Sequence, residues 1–290
     1  MPDAGAPTTQ GEGGAVTADG PVLPVVAAYD GSHASVRAAQ LAAGAARRRG
    51  ARLHLLHTWL DVPDRLRARA DTDLVTVSRS LAGAGTEVSS SVREGDPVEA
   101  LRAASAAAQL VVVGHQDGTA HAVAASARCP VVVVPHDLMS IVVRGRRSVV
   151  VGVEGSTDAD DVLPFAFAEA ASRRTDLLAV HAWRERPHTA QQDAEGPFVD
   201  WGAVRDREER VLRVALGRWR QRWPDVVVRE AVVRERTASV LLAAALTAEL
   251  LVIGHRRRGP LATRRSTTRA VLHRATGPVA VVPLAPADAS

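Results

Sequence analysis

The sequence predicts two α/β domains in tandem, each a doubly wound parallel sheet with helices on both faces. Three observations carry this prediction. Short, continuous apolar runs such as Val111-Val112-Val113 and Val131-Val132-Val133-Val134 read as strands buried on both faces. Helical stretches alternate with these runs, which implies parallel strands joined by right-handed crossovers. The whole pattern is also written twice.

Four blocks recur in the same order. Val26-Ala27-Ala28-Tyr29-Asp30-Gly31-Ser32 returns as Val150-Val151-Gly152-Val153-Glu154-Gly155-Ser156, an offset of 124 residues. Leu56-His57-Thr58-Trp59 returns as Val180-His181-Ala182-Trp183 at the same offset. Gln109-Leu110-Val111-Val112-Val113-Gly114-His115 returns as Glu249-Leu250-Leu251-Val252-Ile253-Gly254-His255, now offset by 140. Cys129-Pro130-Val131-Val132-Val133-Val134-Pro135 closes the first unit, and Gly277-Pro278-Val279-Ala280-Val281-Val282-Pro283 closes the second.

Each unit reads β-α-β-α-β-α-β-α-β. A helix is expected from Ser35 to Arg49, closed by Gly50. Another follows Asp96-Pro97, where Asp caps and Pro suits the first turn. The longest runs from Val204 to Trp223, with an apolar stripe through Val211, Leu212, Ala215 and Trp219, and stops before Pro224. Residues 1–21 read as a disordered tail with no secretion signal, 22–137 as the first domain, 138–147 as a linker and 148–285 as the second domain. The apolar fifth strand of each unit would be hazardous as an open edge. Pairing the two fifth strands would cover both, so an intramolecular pseudo-dimer is expected, with further self-association left open.

Composition narrows the function. No apolar run reaches the roughly 18 residues of a membrane span, so no membrane partner is expected. The single Cys129 allows no internal disulfide, and a cytoplasmic location fits. Cys129 also lacks neighbours that would lower its pKa, so it is not read as a catalytic thiol. All 36 basic residues are Arg, which lifts the pI to about 10.6 although the net charge is only +4. These Arg residues are dispersed among Asp and Glu, so no nucleic-acid partner is expected.

The recurring Asp-Gly-Ser turn, the first helix ending in Arg48-Arg49-Gly50-Ala51 and the His-x-Trp after strand two resemble the universal stress protein family. Glu94-Gly95-Asp96-Pro97 and the closing Pro-Val-Val-Val-Val-Pro add to the likeness, which spans residues 22 to 284. The resemblance implies an adenine nucleotide alpha hydrolase-like, Rossmann-like fold in each half. It also implies ATP as the cofactor to test, held at the carboxyl ends of strands one and four. In that family an acidic residue contacts adenine, and a Gly-x2-Gly-x9-Gly-Ser/Thr loop wraps the phosphates.

Mapped onto this chain, the acidic residues are Asp30 and Glu154. The loops begin at Gly114 and Gly254. From Gly254 the motif wants glycine at 257 and 267, where the chain has Arg257 and Thr267, with Thr268 following. Ser266 and Thr267 are the nearest hydroxyls before the next helix. The first loop is eight residues shorter and keeps only Gly118-Thr119 as a Gly-Ser/Thr pair. Losing two amide-to-phosphate bonds of roughly 1.5–3 kcal/mol each would weaken binding about 10² to 10⁴-fold. Arg257 and Arg258 could recover part of this, although exposed pairs contribute only about 0.2–1 kcal/mol each.

No catalytic constellation emerges. Gly31-Ser32-His33 lacks the nucleophile-elbow pattern. Asp30 and Glu154 lie in different halves, and His57, His115, His181 and His255 lack metal-ligand spacing. The favoured expectation is a non-catalytic binding or regulatory module with degenerate ATP loops and an unknown protein partner. The alternative is an adenine-nucleotide sensor acting through Gly254, the Arg loop and Ser266/Thr267. A nucleotide hydrolase or transferase is a distant third.

Overall fold

The computed structural model describes residues 22–59, 64–82, 85–115, 118–135, 148–154, 159–183, 200–256 and 267–285. The first half runs β1 (Val25–Ala28), α1 (His33–Arg48), β2 (Leu53–Trp59), α2 (Asp64–Ala82), β3 (Val88–Glu94), α3 (Pro97–Ala104), β4 (Leu110–Gly114), α4 (Thr119–Ser126) and β5 (Val131–Val134). The second runs β6 (Ser148–Gly152), α5 (Ala159–Arg173), β7 (Asp176–Trp183), α6 (Trp201–Arg222), β8 (Val228–Arg234), α7 (Thr237–Ala245), β9 (Ala248–Arg256), α8 (Thr267–Arg274) and β10 (Val279–Leu284). The expected linker 138–147 lies outside the described residues.

All ten strands form one sheet, in the order β3-β2-β1-β4-β5-β10-β9-β6-β7-β8. Within each half every pairing is parallel. At the centre β5 and β10 pair antiparallel, with Val131 opposite Val281, Val132 opposite Ala280 and Val133 opposite Val279. The strands with most need of cover thus lie innermost. The outer strands, Val88-Ser89-Ser90-Ser91-Val92-Arg93-Glu94 and Val228-Arg229-Glu230-Ala231-Val232-Val233-Arg234, carry the polar and charged side chains that discourage edge pairing.

Alternate residues of the strands fill two cores. Val25, Leu53, Leu110, Val132, Val149 and Val252 pack beneath α1, α2, α5 and α6. Val26, Leu56, Val111, Val133, Val150 and Leu251 pack beneath α3, α4, α7 and α8. Both cores pass through the β5–β10 seam without a break, because each contains residues of both halves.

Local chemistry sets the helix ends. Ser32 Oγ accepts the Ser35 amide and caps α1, and Asp96 Oδ1 accepts the Glu99 amide ahead of Pro97. Asp200 caps α6 through the Ala203 amide, which starts that helix three residues before the expected Val204. After α1 the chain turns through Gly50 at φ +59°, a left-handed conformation that glycine tolerates. The same repeat position in the second half is Arg174, at φ +54°.

Candidate functional site

In each half the first and fourth strands are adjacent and parallel, so their carboxyl ends open on the same rim of the sheet. The two halves finish this rim differently.

In the first half Asp30 leaves β1 and bends back at once. Its Oδ1 accepts the Ser32 amide at 2.9 Å, around Gly31 at φ +83°. Burial works to raise the carboxyl pKa. The bonds from Ser32 and Ser35 and the nearby His57 ring outweigh it and hold the group below its ordinary value. The carboxylate is therefore engaged by its own turn. Gly114 ends β4 where α1 begins: a Cβ there would lie 2.8 Å from the Ala34 carbonyl carbon. Its lack of a side chain permits helix-to-strand packing. Gly118, at φ +78°, sits at the N-cap of α4 ahead of Thr119 and supplies no side-chain cap.

In the second half Glu154 follows β6 and is exposed. It lines a crevice of about 460 Å³, open mouth included, together with Gly254 of β9 and Thr267 at the start of α8. Three of the residues singled out from sequence thus meet in one place. Arg257, Arg258 and Ser266 lie outside the described residues. Gly254 is not at the mouth of a loop, since β9 continues in register with β10 through Arg256.

The floor of the crevice is aliphatic. Val162 of α5, Leu241 of α7 and Leu284 of β10 face it. A Cβ on Gly254 would stand 2.9 Å from Val162 Cγ2 and 3.0 Å from Leu284 Cδ2. One on Gly152 would stand 3.1 Å from Leu241 Cδ1. Both glycines make room for methyl groups. At both positions aliphatic side chains approach the backbone closely.

Sequence reasoning missed Thr237, which opens α7 and lines the same crevice. Its repeat counterpart is Pro97, and the capping Asp96 is matched by Arg236, which makes no side-chain cap. The signal was this departure from Glu94-Gly95-Asp96-Pro97 to Arg234-Glu235-Arg236-Thr237. The repeated histidines have structural partners. His57 Nδ1 bonds the Tyr29 carbonyl at 2.5 Å, and His181 Nδ1 bonds the Val153 carbonyl at 2.9 Å. His181 Nε2 also lies 2.9 Å from Glu208 of α6, fixing the backbone that presents Glu154. Cys129 is buried, and burial pushes its thiol up to about 12, which leaves it protonated and unreactive.

Among the described residues no helix is long and apolar enough to cross a membrane. The profile of the universal stress protein family matches residues 22–135 and again 145–283. A universal stress protein of Mycobacterium tuberculosis is 32% identical over 266 residues, covering 82% of this chain and 88% of the relative. A second, from Mycobacterium bovis, is 32% identical over 218 residues, 71% of this chain and 69% of its own length. In fold, the chain is similar to the crystal structure of a universal stress protein from Archaeoglobus fulgidus. The TM-score there is 0.70 at 19% identity, with 92% of this chain and 98% of that one covered. Matched once in each half, and 32% identical to a relative over 82% of its own length, the chain belongs to the universal stress protein family as a tandem two-domain member.

Proposed function

We propose that this chain is a non-catalytic binding and regulatory module of the stress response, with nucleotide sites degenerate in both halves. The observation that carries this reading is the packing of Val162 and Leu284 against Gly254, which puts aliphatic carbon where a phosphate loop needs open backbone. Two features support it. Asp30 is engaged in its own turn, and the sequence places Arg257 and Thr267 where the family loop has glycine. A cytoplasmic setting fits the single buried thiol.

A second reading rests on the same crevice. Glu154, Thr237 and Thr267 offer one carboxylate and two hydroxyls around an apolar floor, the mix of a few polar groups on aliphatic walls that small-molecule sites use. On that reading the second half is an adenine-nucleotide sensor, with Arg257 and Arg258 supplying the charge that the missing glycines cannot. Equilibrium binding of a fluorescent adenine nucleotide to the wild type and to Arg257→Ala/Arg258→Ala separates the two. No saturable binding in either protein supports the module. Saturable binding that the double substitution abolishes supports the sensor.

A further inference from the structure

Among the described residues the β5–β10 ladder pairs three positions, and the two cores that run through it are apolar and undirected, so a directional contact is needed to fix which surfaces meet. Directly over the seam lies a buried charge. The Glu169 side chain of α5 is only 4% exposed. Its Oε1 accepts Arg49 Nη2, from the end of α1 in the other half, at 2.5 Å. Its Oε2 accepts Arg173 Nε at 3.0 Å and Nη2 at 2.8 Å. Arg173 reaches on to Glu249 at 3.6 Å, and the Arg49 guanidinium lies over the Phe165 ring at 5.5 Å. Burial works to raise the Glu169 pKa, but Arg173 and Arg49 outweigh it and hold the carboxyl ionised.

The repeat gives this cluster its meaning. Arg49 and Arg173 occupy the same position of the two units, 124 residues apart, whereas Glu169 corresponds to Ala45. Across the seam two equivalent guanidiniums converge on one carboxylate that is present in one half only, with Arg48 close enough to feel both and Glu249 on the far side of Arg173. Were the first half to meet a copy of itself through the same surface, two Arg49 side chains would converge with only the Ala45 methyl groups nearby. Buried like charges without a partner are strongly unfavourable. A surface that meets a second half finds its carboxylate in place.

We propose that the Arg49–Glu169–Arg173 triad is the recognition key by which the α1/β5 surface of the first half accepts a second half and rejects another first half. The tether between the halves raises their effective concentration, so the accepted partner is the second half of the same chain.

The test uses the full chain and a charge exchange. Glu169→Arg gathers three guanidiniums with only Glu249, on the far side of Arg173, as a remaining carboxylate, while Arg49→Glu combined with Glu169→Arg restores a carboxylate between two guanidiniums. Amide hydrogen exchange is followed on β5 and β10 against β2 and β7. In Glu169→Arg, exchange in β5 and β10 should rise at least about tenfold more than in β2 and β7. The double substitution should return it to within about threefold of wild type. Glu169→Gln, which keeps the shape and removes the charge, should shift the same strands by a smaller factor. Equal protection in all strands of Glu169→Gln, or a double substitution no better protected at the seam than the single one, would overturn the proposal.

Discussion

At the end of strand one, the first half spends the Asp30 carboxylate on the Ser32 amide, while the second half leaves Glu154 at the mouth of an open crevice. At the end of strand four, Gly114 admits the backbone of α1, whereas Gly254 admits the methyl groups of Val162 and Leu284. After the first helix of each half, Gly50 turns the chain in one and Arg174 in the other. Over the seam, Ala45 stands opposite in role to Glu169. These differences teach that duplication preserved the sheet and its connections but not the chemistry at its rim. The second half carries the crevice and the seam carboxylate. The first contributes Arg49 to that carboxylate.

The largest effect should come from the seam. Glu169→Ala removes the carboxylate that the half-buried Arg49 and Arg173 share, leaving only Glu249 beside Arg173, and should cost about 3–5 kcal/mol in urea unfolding. The sign of its pH dependence follows from the depressed carboxyl. The stabilisation is fully present above the ordinary glutamate value of 4.5 and is lost as pH falls through the lower folded value. The stability gap between wild type and Glu169→Gln should therefore narrow only under acid, and a gap constant from pH 7 to pH 3 would remove the triad from the account.

Next come the two strand-four glycines. Gly114→Ala drives a methyl into the Ala34 backbone, which cannot move away, and should cost about 3 kcal/mol. Gly254→Ala meets only the ends of Val162 and Leu284, which can turn aside, and should cost about 1 kcal/mol. Equal or reversed costs would mean that the two rims are not built differently after all. The smallest effect is a gain. Arg174 holds a left-handed conformation that costs a side-chain residue about 1–2 kcal/mol, and Arg174→Gly should raise stability by about 0.5–1 kcal/mol. Gly50→Arg should lower it by a similar amount.

Much of the fold was legible because the evidence was local and repeated. Continuous valine runs marked two-faced strands, and four blocks recurring in order exposed the duplication. The pairing of β5 with β10 followed from the hazard of leaving either as an edge. At the rim, Glu154, Gly254 and Thr267 could be placed because each stands at a fixed point of the repeat, after strand one, within the last residues of strand four and at the start of the helix that follows. What fills the space between them could not. Val162, Leu241 and Leu284 read as ordinary core residues, and only the packing of three separate elements aims them at Gly152 and Gly254. Glu169 was equally hidden. Its partner Arg49 lies 120 residues away, and the one hint was a lone acid within the apolar stretch Phe165-Ala166-Phe167-Ala168-Glu169-Ala170-Ala171.

The most direct test of the central claim, that close packing on the strand-four glycines, by the α1 backbone at Gly114 and by Val162 and Leu284 at Gly254, leaves neither rim able to hold a phosphate, is a calorimetric titration of the full chain with Mg-ATP at moderate salt. The account predicts no heat of binding up to millimolar ATP. Saturation at one site per chain in the micromolar range would contradict it and make the second-half crevice a working nucleotide site.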